Sequence, residues 1–326
     1  MMGANKDSRA RLQDVATAAG VHVGTASRAL NAHTTKRIRP ETVERVRRVA
    51  EELGYHVNTV ARALKTRRSY LIGCLLPDLG NAAASPVMRG MERTLSAAGY
   101  SLIVANTDDD AENARRLADK MLQSSVDGLL ISTARRKDAL VEQLRHGFAP
   151  FVLVNRTVDR GGVWEVVYAN QYGLRLVVEY LAQLGHQQIG YVGGPGDTST
   201  GMRRMEGFVD AAQALGISYA PVSETTHYTL EEGLRVGSIL LNSHPDLTAI
   251  VTGNDLLALG VIKAAATLGL VCPRDLSVVG FNDMPLVDQM PQEVKTRARE
   301  SLNQANNNIE RPAIMPQISN ALVNFV

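Results

Sequence analysis

Apolar side chains recur with two different periods along this chain, and the change of period divides it. In LQDVATAAGVHVGTASRALN, residues Leu12 to Asn31, the positions Val15, Ala16 and Ala19 share one side of a helical wheel. Val21, Ala26, Ala29 and Leu30 give a second short helix a matching face, and Gly20 supplies the tight turn between the two. The spacing predicts a helix-turn-helix whose small residues let two helices cross closely. A third amphipathic run (Val43, Val46, Val49, Ala50 and Leu53) opens at Pro40-Glu41 and stops at Gly54.

Beyond Arg67-Arg68-Ser69 the texture switches to short, continuously apolar runs alternating with helical patterns. The first series is Tyr70 to Leu76, Ser101 to Ala105, Gly128 to Ser132 and Phe151 to Val154. A second series comprises Ile189 to Val192, Ala249 to Thr252 and Leu276 to Val279, separated by helical stretches near Tyr172–Leu184, Met202–Leu215, Leu230–Asn242 and Leu256–Leu268. Strands apolar on both faces and alternating with helices predict buried parallel sheets, so the expected fold class is α/β: a small all-α head followed by two lobes. Arranged by residue, the expectation is a head over 1–57, a linker over 58–69 and a body over 70–326. Within the body, lobe 1 spans about 70–169, lobe 2 about 170–290, and an atypical tail 291–326.

Charge sharpens the division. The chain of 326 residues carries 35 Lys plus Arg against 33 Asp plus Glu, close to neutral overall. Residues 1–69 hold 14 basic and 6 acidic side chains, net +8, which leaves 21 basic and 27 acidic, net −6, in the rest. A basic head with a helix-turn-helix is the electrostatic footprint of a protein that neutralises phosphates. No apolar run approaches the ~18 residues of a membrane span, and no signal-peptide pattern opens the chain, so a cytoplasmic protein is expected. Cys74 and Cys272 have no C-x-x-C partner or nearby His pair, so they read as reduced core thiols.

With these residues in view, the segments LxDVAxxAGV (Leu12 to Val21), TxSRxLN (Thr25 to Asn31) and ELGYxxNxxARxL (Glu52 to Leu64) resemble the headpiece of the LacI/GalR family of bacterial transcription regulators. The likeness continues through PDLGNAAASPVMRGME, SVDGLLI, LGHQQIGYVGGPGDTSTGMRRMEGF, TGNDLLALG and LSVVGFND, to about Met290. It implies a helix-turn-helix head and a periplasmic-binding-protein-like sensor. The activity implied is repression at a pseudopalindromic double-stranded DNA operator by a homodimer, controlled by a sugar or related metabolite bound between the lobes.

Family position assigns base reading to Val23, Gly24 and Arg28, of which only Arg28 has the fork for a bidentate contact to guanine. Thr25, Ser27 and Asn31 suit phosphate oxygens, although the same groups serve as caps. Arg39 stands where the family usually has a serine cap; it forgoes that cap and could reach a phosphate instead. The segment Asn58 to Leu64 resembles the hinge that becomes helical on DNA, with Leu64 beside Ala61 as the minor-groove wedge and Val57 in place of the family's proline.

Ligands of open α/β sheets bind at the carboxyl ends of the strands, and these ends are polar here. Asp78 and Asn81 follow the first strand, Asn155 and Arg156 the fourth, Asn254 and Asp255 the strand ending at Thr252, and Asn282 and Asp283 the last. The effector set is therefore Asp78, Asn81, Asn155, Arg204, Asn254 and Asn282, with loop capping as the plain alternative for each. The resemblance puts Arg204, Asn254 and Asn282 on the effector. Asn282 replaces the usual aspartate, and Ala83 and Ala84 replace aromatics, so a roomier, less aromatic pocket is expected. No phosphate-loop, metal or nucleophile-elbow spacing is present: GGPGD reads as a turn, and His22, His186 and His227 stand alone. No enzyme, cofactor or metal is expected.

Past Met290 the resemblance lapses and asparagine density jumps, with 6 in the last 36 residues against 11 in the preceding 290. A shifted reading frame is one explanation, divergence another. Two alternatives to the regulator stay open at this point: a solute-binding module with no DNA role, and a truncated or frameshifted, non-functional regulator.

Overall fold

The computed structural model describes residues 10–30, 38–55, 68–147 and 149–284. The expected hinge, with Ala61 and Leu64, the phosphate candidate Asn31 and the tail lie outside these ranges. The chain divides into two compact units, Met1–Ser69 and Tyr70–Val326.

In the first unit, α1 (Leu12–Ala18), α2 (Val23–Ala29) and α3 (Pro40–Glu52) close over one small core. Val15, Ala26, Ala29 and Val46 are fully enclosed there, and Val21, Val23, Leu30, Ile38 and Tyr55 pack around them. Helices α1 and α3 end as the sequence dictates. Gly20 adopts φ +63° after α1, and the Val21 N–H returns to the Ala16 carbonyl at 3.0 Å. Gly54 does the same after α3, where the Tyr55 N–H meets Ala50 at 2.8 Å. Such left-handed caps satisfy carbonyls that the helix leaves open, and glycine reaches them without a Cβ clash.

The second unit holds two five-stranded, all-parallel sheets. In the first, strands β1 (Leu71–Leu76), β2 (Ser101–Asn106), β3 (Gly128–Ile131), β4 (Phe151–Val154) and β5 (Glu165–Val166) lie in the order β2-β1-β3-β4-β5. Helices α4 (Ala84–Ala97), α5 (Ala111–Gln123) and α6 (Ala139–Arg145) cover it. Alternation along β1 decides which side chain meets which layer. Cys74 and Leu76 join Met91 of α4, whereas Leu75 joins Ala118 and Met121 of α5. At Gly73 a Cβ would come within 2.6 Å of the Met121 sulfur and 2.8 Å of a Leu129 methyl, so a side chain there would have to displace both.

The second sheet contains β6 (Gln188–Gly193), β7 (Ser218–Tyr219), β8 (Ser223–Glu224), β9 (Ala249–Thr252) and β10 (Ser277–Val279), ordered β10-β9-β6-β7 with β8 also on β6. One face packs on α7 (Asn170–Gln183) and α8 (Ser199–Ala214), the other on α9 (Leu230–Ser243) and α10 (Asp255–Thr267). Close approach of the last two helices rests on glycine: a Cβ on Gly260 would lie 2.3 Å from the Leu230 carbonyl oxygen. Cys74 and Cys272 are buried and neither forms a disulfide; burial pushes the Cys74 thiol up to about 12. His186 sits in the turn after α7, its Nδ1 2.9 Å from the Thr248 hydroxyl. Among the described residues no helix is long and apolar enough to cross a membrane.

Candidate functional site

In the head, α2 is set up by a residue the sequence reading passed over. His22 is its N-cap, and its Nδ1 accepts the Gly24 N–H at 3.1 Å. A Cβ on Gly24 would lie 3.3 Å from that nitrogen, so glycine leaves room for the capping ring. Arg28 is exposed on the last turn, and its Nε donates to the Gly24 carbonyl at 3.0 Å, which lays the side chain back along the helix. Val23 packs against the core, while Thr25 and Ser27 are half-buried beside it. Arg39 caps α3 by backbone geometry alone, without a side-chain hydrogen bond, and Pro40 follows at the first helical position.

In the second unit, the ends of β9 and β10 and the start of α7 converge on Arg204, which is 3% exposed. Its Nε donates to Asn170 Oδ1 at 2.8 Å, one terminal nitrogen to the Gly253 carbonyl and the other to Asn282 Oδ1 at 3.3 Å. The guanidinium also lies 4.1 Å over the Phe281 ring and 5.9 Å from the Tyr228 ring. Glycines open this space: Gly173 faces Phe281, and a Cβ on Gly194 would fall 2.0 Å from Tyr228. Asn282 reaches Arg204 from a left-handed backbone, φ +110°.

The other candidates serve the chain locally. Asp78 Oδ1 accepts the Gly80 N–H at 2.7 Å, and Asn81 Oδ1 accepts that of Ala83 at 3.0 Å. Asn254 caps α10 through the Leu257 N–H at 2.9 Å. Asn155 turns the chain at φ +66° and donates its N–H to the Val166 carbonyl at 2.8 Å. Thus Arg204 and Asn282 meet, with Asn254 next to Gly253. Among the described residues Asp78, Asn81 and Asn155 make no hydrogen bond to Arg204.

A second network spans the sheets and was not anticipated. Arg156 grips Asp109 with two hydrogen bonds, 2.6 and 3.2 Å. Arg135 donates to the Asp109 carbonyl at 2.7 Å and reaches across to both Asp197 oxygens at 2.9 and 2.7 Å. The Arg136 N–H meets the Asp197 carbonyl at 2.9 Å, and the Thr157 N–H meets Ser199 Oγ at 2.8 Å. The loops after β2, β3 and β4 are thereby tied to the turn after β6, which is the GGPGD segment. Arg156 stands among the polar residues at the strand ends; extending that scan to every charged residue in the loop after the third strand would have included Arg135 and Arg136.

Residues 11–58 match the model of bacterial regulatory proteins of the lacI family, and residues 69–302 match that of periplasmic binding proteins and the sugar binding domain of the LacI family. The chain belongs to the LacI family. The second match runs past Met290, so the likeness extends further than the motifs alone reveal. The ribose operon repressor of Halalkalibacterium halodurans is 32% identical over 285 residues, 87% of this chain and 84% of that one. The transcriptional repressor PurR of Klebsiella pneumoniae subsp. pneumoniae is 30% identical over 281 residues, 84% and 81% of the two chains. Among solved structures, a lac repressor dimer bound to operator and the anti-inducer ONPF matches with a TM-score of 0.76 at 25% identity, covering 91% of each chain. A CelR–cellobiose complex matches with a TM-score of 0.64 at 26% identity, covering 94% of this chain and 96% of that one. This LacI-family chain is a transcription regulator, with a helix-turn-helix head and a binding-protein-like body.

Proposed function

We propose that this LacI-family regulator is a repressor that binds a pseudopalindromic operator as a homodimer and changes its affinity when a small molecule occupies the cleft between the two sheets. What carries the reading is the union on one chain of a basic helix-turn-helix unit with a two-sheet body whose strand ends converge on Arg204. A single short α2 offers few base contacts, and pairing two copies on adjacent half-sites doubles them.

In this reading the head spans 1–57 and the hinge 58–69, with the sensor following. Arg28 supplies the direct base contact, beside Val23 and Gly24. Thr25, Ser27, Asn31 and Arg39 engage phosphates, and Ala61 and Leu64 enter the minor groove. The effector is a sugar or related metabolite, as the relatives' names suggest, held by Arg204, Asn254 and Asn282 from one lobe and Asp78, Asn81 and Asn155 from the other. Cleft occupancy and hinge ordering are coupled, so a ligand acts through its differential affinity for the two states. The protein works in the cytoplasm and catalyses no reaction.

A mobility-shift titration on palindromic operator fragments tests this. The wild type binds one sequence far more tightly than random DNA, and Arg28→Ala loses that preference. Equal binding of all sequences by the wild type would overturn the regulator reading.

A further inference from the structure

The second sheet's share of the cleft contains two groups whose electrostatic needs the protein does not meet. The first is Arg204. Its hydrogen-bond acceptors are an amide oxygen, a carbonyl and a second amide oxygen, with two aromatic faces beside them. Among the described residues it takes part in no ion pair. A buried cation held only by neutral groups pays most of its desolvation cost uncompensated. Asn282 supplies an uncharged oxygen where an aspartate would have supplied a charge.

The second group is the Tyr191 hydroxyl. The residue is fully buried on β6, its ring stacked at 4.7 Å on Phe208, and its oxygen has no hydrogen-bond partner. That oxygen lies 3.5 Å from where a Cβ on Gly193 would stand, at the carboxyl end of β6. Burial, then Tyr228, raises its pKa, and the charges that also act on it are those of Arg204 and Glu224. Gly253, whose carbonyl accepts from Arg204, packs against Gly193 and Gly194, so the hydroxyl and the guanidinium border the same end of β6. The adjoining turn leads into the sixteen-residue helix α8, whose N-terminal pole favours negative charge. Of the neighbouring carboxylates, Asp255 is engaged elsewhere, taking the Met284 N–H at 2.8 Å, and Glu224 stands over Gly196.

A hydroxyl with no partner and a buried cation with only neutral acceptors, close to one helix start, define the missing partner. We infer that the effector of this chain is an acid, whose carboxylate or phosphate lies between Arg204 and the Tyr191 hydroxyl at the start of α8. An oxyanion is acceptor-only, so it satisfies both donors and neutralises the cation at once, which a neutral sugar hydroxyl cannot do. The inference rests on the reading of this cleft as the effector site.

The test uses the full chain and thermal unfolding at pH 7 and constant ionic strength, with matched pairs: D-glucose against D-glucuronate, glycerol against glycerate, and ribose against ribose 5-phosphate. At least one acid raises the Tm where its neutral counterpart does not, and the carboxylate and phosphate pairs separate the two oxyanions. Asn282→Asp, which places a carboxylate 3.3 Å from Arg204, raises the Tm of the ligand-free chain and removes the acid preference. Tyr191→Phe also raises the ligand-free Tm and weakens binding of the acid about tenfold. No acid outperforming its neutral partner, or an Asn282→Asp chain that keeps its affinity for the acid, overturns the inference. Operator mobility shifts on the same samples separate it from the regulator reading. An acid that stabilises the chain without changing operator binding leaves the anion site standing and refutes the effector role. Release of operator by a neutral sugar does the reverse.

Discussion

The charge network between the sheets can be taken apart in a defined order of severity. Arg156 and Asp109 have side chains only 5% and 12% exposed, whereas Asp197, at the far end, is 63% exposed. Removing one partner of a buried ion pair costs about 3–5 kcal/mol, because the other charge is left desolvated. After Arg156→Met, Asp109 still has an Arg135 nitrogen 3.4 Å from its carboxylate, so the expected loss falls to about 2–3 kcal/mol. Arg135→Met instead gives up the exposed pair with Asp197, worth less than about 1 kcal/mol, one hydrogen bond of about 1 kcal/mol, and the longer 3.4 Å contact with the Asp109 carboxylate, which keeps both of its hydrogen bonds from Arg156. Asp109→Asn closes the cycle without new strain: its backbone is left-handed, φ +54°, a conformation asparagine tolerates. The chain's one tryptophan, Trp164, provides the readout, since its carbonyl accepts the Leu153 N–H in the first sheet. Urea unfolding followed by its fluorescence places Arg156→Met lowest, then Arg135→Met, with a coupling of about 2 kcal/mol between positions 109 and 156. Equal losses for the two arginine variants, or no coupling, would refute the claim that burial rather than contact number sets the cost.

Gly260→Ala drives a methyl to 2.3 Å from the Leu230 carbonyl oxygen and lowers stability by about 2 kcal/mol or more in urea melts. Gly161→Ala, which meets nothing within 4 Å, stays within about 0.5 kcal/mol of the parent. His22→Ala removes the cap of α2 and costs the head about 1 kcal/mol, while His22→Asn keeps the acceptor and the stability, as read by circular dichroism melts of the full chain. Burial holds the His186 imidazole below its ordinary value of 6.5. The unfolded chain therefore binds more protons, and this contribution is intact above about pH 6.5 and lost as the pH falls toward the lowered folded value. His186→Gln flattens the Tm profile between about pH 7 and pH 5; a slope identical to the parent's would assign that dependence to other groups.

The head was readable because everything that builds it is local. Its core pairs Val15 and Ala16 with Ala26, Ala29 and Val46, positions fixed by one helical period and one glycine turn. The central strands were readable because both of their faces are buried, which removes polar residues from four to six consecutive positions. Strands β5, β7 and β8 are two residues each, too short to show any period. The charge network was not readable, because its partners stand 47 and 62 residues apart, the first pair brought together by strand ends of one sheet and the second by strand ends of both. The polar residues at strand ends posed a different difficulty, since one amide or carboxylate oxygen can either complete a turn or hold a ligand. Asp78, Asn81 and Asn254 have already completed theirs, which leaves a ligand the second carboxylate oxygen of Asp78, the amide NH2 groups of Asn81 and Asn254 and the second lone pairs of the capping oxygens. Gly24 tempers the point: judged by helix propensity it costs about 1 kcal/mol, yet a Cβ there would crowd the His22 ring at 3.3 Å, so its bareness eases the cap. A side chain satisfied in the ligand-free chain has little to gain from an effector. Tyr191 has no partner and Arg204 no counter-charge, so with the proposed acid the gain falls on these two.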